Sequence, residues 1–557
     1  MIKYKEKPFY LNDDDINWVE ETYKNMSIEE RIGQLFFPIG YSSDPNYLRY
    51  AILNKHPGGI LFRTGGKDEM RETLSFLQKE SKIPMFTAAN LEAGGDGIVS
   101  EGTSFGKQMQ IAATGNKENA YHLGKVCARE GRAVGCNYAF APIVDIDNNY
   151  HNPITNVRTY GNDPDKVIEY AREYIKACNE ENVLTSIKHF PGDGVDECDQ
   201  HILTSVNSLS KEKWDESYGK VYKTLIDEGT KTVMVGHIAL PAYQSEKGRL
   251  VPASLSYELV TNLLREKLGF NGLVITDATP MVGFCCAMER KDAVPQAIMA
   301  GCDMFLFNKD YDEDYKFMMD AYNNKTLTEE RLEEAVKRIL ACKASQKLHI
   351  KNNIPSLDDD YLIGMDEHKL WAKKCADEAI TLVKDTQNLL PISSSKHKKV
   401  LYQILGDCAS NDRVIERFKK DMEAYGYELY PYEKEVFDFS KPLPFDTCAS
   451  FKEKYDLVIY IGNIENASNK TTNRINWHTL FGLGNNMPWF VKEVPTLFIS
   501  LQNPYHLLDV PMIQTYINCY SNHNDIIDAV IDKINGKSEF KGISPIDPFC
   551  GKEYLKY

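Results

Sequence analysis

The sequence predicts a (β/α)8 barrel (TIM barrel) followed by a smaller three-layer α/β sandwich domain. Three observations carry this. Short apolar runs alternate with helical patterns from about residue 30 to 310. Polar residues able to do chemistry fall just past the ends of those runs. After a stretch without periodicity, a shorter series of the same alternation resumes.

The runs are "QLFFPI" (34–39), "GGILF" (58–62), "PMFTAAN" (84–90), "YAFAPIVDID" (138–147), "VLTSIKHF" (183–190), "KTVMVGHIAL" (231–240), "GLVITDA" (272–278) and "CDMFLFN" (302–308). Between them lie amphipathic stretches such as "DPDKVIEYAREYIKACNEEN" and "SYELVTNLLREKLGF". Strands apolar on both faces and alternating with helices imply a parallel sheet covered on both sides. Eight such units favour a closed barrel over an open sheet. Asn90, Asp145, Lys188, His189, His237, Asp277 and Asn308 all sit at or just past a strand's carboxyl end. A barrel would gather them on one face, where such folds keep their chemistry.

"TEERLEEAVKRILACKASQ" (328–346) reads as a long helix closing the first unit, and "LHIKNNIPSLDDDYLIGMDEH" (348–368) as a linker by composition. The expected domains are a barrel over 1–347, a linker over 348–367 and an α/β sandwich over 368–557. The second series comprises "VLYQILG", "DLVIYIGN", "TLFISLQNP" and "TYINCY".

The 557 residues carry a net charge of −15, which argues against nucleic acid or an anionic membrane as partner, because both need a basic face. The N-terminus has no apolar signal region, and no run of about 18 apolar residues occurs. The 13 cysteines are scattered without a repeating spacing. Reduced thiols and a cytoplasmic protein are the expectation, with Cys285 and Cys286 as core filler rather than a redox pair.

"KHFPGDGVDECDQH" (188–201) concentrates ionisable residues around a Pro-Gly turn. It could be a solvated polar loop. It could hold a metal through His189, Asp193, Cys198 and His201, but that spacing lacks the tight ligand pairs of zinc sites. Or it could perform acid/base chemistry, since Asp199-x-His201 sets a carboxylate beside an imidazole. The third reading gains from a separate carboxylate on the same face, Asp277 in "NGLVITDATPM". That residue could instead cap the next helix.

Together these segments resemble glycoside hydrolase family 3, in particular its β-N-acetylhexosaminidase branch. "KHFPGDGVDECDQH" is similar to the branch's K-H-F-P-G-H-G followed by D-S-H. "GFNGLVITDATPM" resembles its nucleophile motif, "NPITNVRTYGNDP" (152–164) its N-x-R-[ST]-[FY]-G-x-D-P segment, "FAPIVDID" its A-P-V-x-D strand, and "AITLVKDTQNLLPI" (379–392) the opening of its second domain. The resemblance implies Asp277 as nucleophile, His201 as general acid/base and Asp199 as its orienting partner. It implies sugar-binding roles for Asn90, Arg158, Lys188, His189, His237 and Met281, with no metal and no cofactor. The implied activity is that of a retaining exo-β-N-acetylhexosaminidase acting on an oligosaccharide or glycoside, as a monomer or homodimer. Alternatives are a phosphorylase using the same residues, a β-glucosidase with Glu465 as acid/base, and an inactive glycan-binding protein.

Two positions depart from the branch pattern. Asn90 stands where it has Asp, and Asp193 where it has the second His. Asn90 predicts relaxed selection between N-acetylglucosaminides and N-acetylgalactosaminides with the 2-acetamido group still required, unless Glu92 or Asp96 supplies the missing carboxylate.

Overall fold

A computed structural model describes residues 2–245, 250–350, 357–433, 446–477, 479–480, 483–484 and 486–557. The chain forms two compact units. The first comprises Met1–Gln108, Lys117–Lys369 and the short segment Ser468–Thr471; the second comprises Met109–Asn116, Leu370–Ala467 and Thr472–Tyr557. The division between Lys369 and Leu370 falls inside the helix Asp366–Ala379. Of the expected linker, 351–356 lie outside the described residues.

The strands of the first unit are β1 (Phe36–Phe37), β2 (Ile39–Gly40), β3 (Gly59–Phe62), β4 (Phe86–Ala89), β5 (Tyr138–Ala139), β6 (Leu184–Phe190), β7 (Ser205–Val206), β8 (Thr232–Val235), β9 (Ile238–Ala239), β10 (Leu273–Thr276) and β11 (Phe305–Leu306). A parallel sheet runs β10-β8-β6-β5-β4-β3-β2. β11 pairs in parallel with β1, and Met304 bridges Ile275 beside β10. These pairings close the ring, and each of the eight apolar runs supplies one position in it. β3, β4, β6, β8 and β10 are buried along their whole length, which is why they carry almost no polar alternation.

The helices between start on local signals. Pro164–Glu180 has Asp163 capping the Asp165 N–H and Pro at its first turn. Phe36, Phe37, Phe86, Tyr138, Phe140, Phe284 and Phe305 form part of the central core. Each such side chain contributes roughly 1.5–3 kcal/mol on burial. At the amino end of β11, fully buried Asp303 meets Arg265 at 2.7 Å, Arg331 at 2.7 Å and Arg338 at 3.1 Å. Burial opposes its ionisation, but the three guanidiniums hold the carboxyl down at about 2. This cluster lies at the end of the barrel that carries stability rather than chemistry.

The second unit contains β12 (Thr381–Asp385), β13 (Lys399–Leu405), β14 (Glu428–Pro431), β15 (Leu457–Gly462), β16 (Thr479–Leu480), β17 (Leu483–Gly484), β18 (Thr496–Ser500) and β19 (Thr515–Asn518). Its main sheet runs β12-β19-β18-β15-β13-β14, parallel except for β12. One apolar cluster takes in the helices Asn411–Ala424 and Asn524–Ile534, and another centres on Phe451, Tyr460, Phe490 and Phe498. A sheet between two apolar layers is the expected sandwich. No helix among the described residues is long and apolar enough to cross a membrane. All 13 cysteines are free thiols.

Candidate active site

β10 ends at Thr276 and delivers Asp277 to the carboxyl-end face of the barrel. The Asp277 N–H donates to the Val235 carbonyl at 2.8 Å, and its Oδ1 accepts from the Ala278 N–H at 2.7 Å. Its Oδ2 is buried, has no hydrogen-bond partner among the described residues, and lies 3.8 Å from His189 Nε2. A nucleophile needs such an arrangement, one oxygen fixed and one uncommitted. Burial raises the Asp277 pKa, but His189, His237, His201 and the Ala278 N–H outweigh it and hold the carboxyl below its usual value.

In β6 the pairing with β8 shifts register between Ile187 and Phe190, so strict side-chain alternation breaks down at Lys188 and His189. Lys188 Nζ donates to Glu92 Oε1 at 2.6 Å, while the His189 ring Nδ1 lies 2.7 Å from Asp145 Oδ2. Asp145 is a carboxylate, so Nδ1 carries the proton and Nε2 is left toward Asp277. Asp145 also accepts from the backbone N–H groups of His189 at 3.1 Å and Asp193 at 2.8 Å. The sequence marked Asp145 as a strand-end residue without a role; here it orients His189 and anchors the following turn.

Asn90 is exposed at the end of β4. Neither candidate stand-in for the missing carboxylate is free. Asp96 accepts from Ser104, and Glu92 is bound by Arg158 at 3.1 and 2.9 Å as well as by Lys188. Burial works against the Glu92 charge, yet Arg158 and Lys188 hold its carboxyl far below the ordinary range. Glu92 therefore ties together the two cations expected to bind sugar.

The His237 ring is occupied at both nitrogens, by Ser254 Oγ at 2.8 Å and the Ala278 carbonyl at 2.9 Å. Burial pushes it down to about 4, so it is neutral at neutral pH. It holds the loop carrying Asp277 and has no ring nitrogen left for the sugar contact implied for it. Met281 is half-buried and precedes the short helix Val282–Cys285.

That helix joins the two loops that matter most. The Val282 N–H donates to His201 O at 3.1 Å and the Gly283 N–H to Gln200 O at 3.2 Å. A Cβ on Gly283 would lie 2.6 Å from Gln200 O, so only glycine permits this approach. Asp199 is fully buried, and its Oδ1 accepts from the His201 N–H at 2.9 Å and from ring Nδ1 at 2.7 Å. Its Oδ2 accepts from the Asn469 N–H at 2.7 Å. Nε2 of His201 is the nitrogen that remains for a reacting oxygen. Glu465 belongs to the second unit, where its Oε2 lies 3.8 Å from Cys408 Sγ. Among the described residues no group of three or more His, Cys, Asp or Glu side chains is arranged to hold a metal.

Asp193 turns inward. Its Oδ1 accepts from Gly194 N–H at 2.7 Å and Asn152 Nδ2 at 3.2 Å, and its Oδ2 is buried without a partner among the described residues. Burial, then the charge of Asp145, pushes its pKa well up. The folded state then binds a proton that the unfolded state, with its carboxyl near 3.9, has already released. Stability falls as pH rises from about 4 toward neutrality. Asp193→Asn is expected to flatten this decline, giving a larger gain in Tm at pH 7.5 than at pH 4.5 in thermal melts.

Residues 27–342 match the glycosyl hydrolase family 3 N-terminal domain. The chain is 41% identical, over 99% of both chains, to a β-N-acetylglucosaminidase/β-glucosidase from Cellulomonas fimi. Its fold superposes with a TM-score of 0.93 on the β-glucoside phosphorylase BglX bound to 2FGlc, at 41% identity over 98% of this chain and 99% of that one. A family 3 β-N-acetylglucosaminidase from Paenibacillus sp. str. FPU-7 shares the fold at a TM-score of 0.79 and 21% identity, over 94% and 99% of the two chains. With a family match across most of the chain and a relative aligned end to end, the protein belongs to glycoside hydrolase family 3.

Proposed function

We propose that the protein is a retaining, exo-acting β-glycosidase that releases terminal N-acetylglucosamine, with Asp277 as nucleophile and His201 as general acid/base. The observation that carries this is the cross-bonded pair of loops. One presents an uncommitted carboxylate oxygen, and the other an imidazole whose Nδ1 is fixed on a buried carboxylate. Asp277 Oδ2 attacks the anomeric carbon while protonated Nε2 of His201 donates to the departing oxygen. His201 then takes a proton from the acceptor that releases the sugar from the aspartyl ester. Asp199 stabilises the imidazolium in the first step. Arg158, Lys188 and His189 face the sugar hydroxyls, with Glu92 and Asp145 fixing their positions. The protein takes a glycoside as its partner and works in the cytoplasm.

Phosphorolysis is the second reading. A neutral or cationic imidazole repels a phosphate dianion less than a carboxylate would, and one relative of known structure, 41% identical to this chain, is named a β-glucoside phosphorylase. Aryl β-glycosides of GlcNAc, GalNAc and glucose, each with and without phosphate, separate the two. A phosphate-dependent rate with a sugar 1-phosphate product establishes phosphorolysis; a phosphate-independent rate with free sugar establishes hydrolysis.

The same assay tests Asn90. Replacing a carboxylate by a neutral amide at a sugar hydroxyl gives up about 1.4 kcal/mol, or roughly tenfold in discrimination. Both GlcNAc and GalNAc glycosides are expected to turn over. A ratio of kcat/KM above about a thousandfold would reject a relaxed pocket. The name of the Cellulomonas fimi relative includes a β-glucosidase, so the glucoside arm of the assay tests the expected requirement for a 2-acetamido group.

A further inference from the structure

We propose that Asn469 is a positioning residue for the acid/base dyad. Its main-chain N–H holds Asp199 and so sets how strongly the carboxylate supports the His201 imidazolium. The inference rests on the reading of His201 as general acid/base.

Asp199 has no solvent-exposed side-chain surface, so each of its oxygens needs a donor inside the protein. Oδ1 has two, both from His201. Oδ2 has the Asn469 N–H at 2.7 Å, a charge-assisted distance. Asn469 is 270 residues along the chain from Asp199, yet Ser468–Thr471 is part of the same compact unit. Asn469 adopts φ +67°, in the left-handed region that Asn and Gly tolerate and β-branched residues avoid. This conformation belongs to the backbone that aims the N–H at Asp199. Without that donor the carboxylate loses the contact that fixes it against His201, and the Nδ1 hydrogen bond that orients and supports the imidazolium loosens. Asp277 and His237 from the nucleophile side also act on the dyad, and Lys470 follows Asn469 directly. None of these residues is substituted in the variants below.

Asn469→Pro removes the N–H and also forbids the left-handed backbone, Asn469→Val keeps the N–H but disfavours that backbone, and Asn469→Gly keeps both. Thermal melts verify folding, and the full-length protein is used throughout. For Asn469→Pro we expect at least a tenfold loss in kcat/KM on alkyl β-glycosides of GlcNAc, whose leaving groups need an acid. The loss on nitrophenyl glycosides should be less than threefold, and the alkaline limb of the profile should move to lower pH. Asn469→Val should fall in the same direction, and Asn469→Gly should restore activity to within about threefold. NMR titration of the His201 ring gives a readout independent of turnover, with the midpoint moving to lower pH in Asn469→Pro. An unmoved midpoint, equal losses on both leaving-group classes, or an Asn469→Gly variant as impaired as the Pro variant overturns the proposal. Failure of the underlying reading looks different: His201→Ala itself would then show no leaving-group dependence.

Discussion

Asp277→Asn is expected to lower kcat/KM on aryl β-glycosides by at least about a thousandfold, some 4 kcal/mol of transition-state stabilisation. The amide is nearly isosteric, and the Oδ1 contact to the Ala278 N–H survives in the amide oxygen, so the fold should hold. What is lost is the uncommitted anionic oxygen, and no binding interaction can replace a covalent step. The companion variant Asp277→Ala opens room for azide at the anomeric carbon. In a retaining enzyme that small nucleophile attacks from the vacated face and gives an α-glycosyl azide. Steady-state kinetics and product NMR decide the matter. Activity within about tenfold of wild type in Asp277→Asn removes this residue from the mechanism.

For His201→Ala the expected loss depends on the leaving group. On alkyl or sugar β-glycosides kcat/KM should fall by about a hundred- to ten-thousandfold, the usual worth of general acid catalysis. On nitrophenyl glycosides, whose phenolates leave unaided, the first step should be nearly unimpaired and release of the sugar should become limiting. A burst of nitrophenol followed by slow turnover is then the kinetic sign. Equal losses across a series of leaving groups would mean that the imidazole binds rather than donates a proton.

Much of the barrel could be read from sequence because its strands are buried on both faces. A run such as "GLVITDA" has few alternative explanations, and a polar residue at its end stands out. Asp277 was visible for that reason, and Asp199 and His201 through their Asp-x-His spacing and the motifs around them. The supporting contacts were not. Glu92 was legible only as a substitute for the carboxylate missing at position 90, whereas it binds Arg158 and Lys188. That pairing depends on three loops meeting in space. His237 looked like a pocket residue, and only the positions of Ser254 and Ala278 reveal that both ring nitrogens are taken. Asn469 carried no signal at all, because its contribution is a backbone N–H, which every residue but proline possesses. The exchange of short segments between the two units, 109–116 one way and 468–471 the other, likewise leaves no mark in composition.

The seam of the barrel bears on how the chain is made. Phe36 pairs with Phe305, so β1 leaves the ribosome about 270 residues before the strand that covers its free edge. At 5–20 residues per second that edge waits roughly 15–55 s with unpaired peptide groups. During that interval Phe36 and Phe37, fully buried in the finished ring, are part of an open, apolar strand of the kind that recruits other chains. Closure also waits for Arg331 and Arg338, which emerge after Asp303 and neutralise it at the amino end of the last strand. Until residue 305 has been made, the β1 edge has no β11 to pair with. Slowing of translation anywhere between residues 40 and 340 would lengthen the exposure, and chaperone demand during synthesis would rise even though the finished barrel has no edge left to protect.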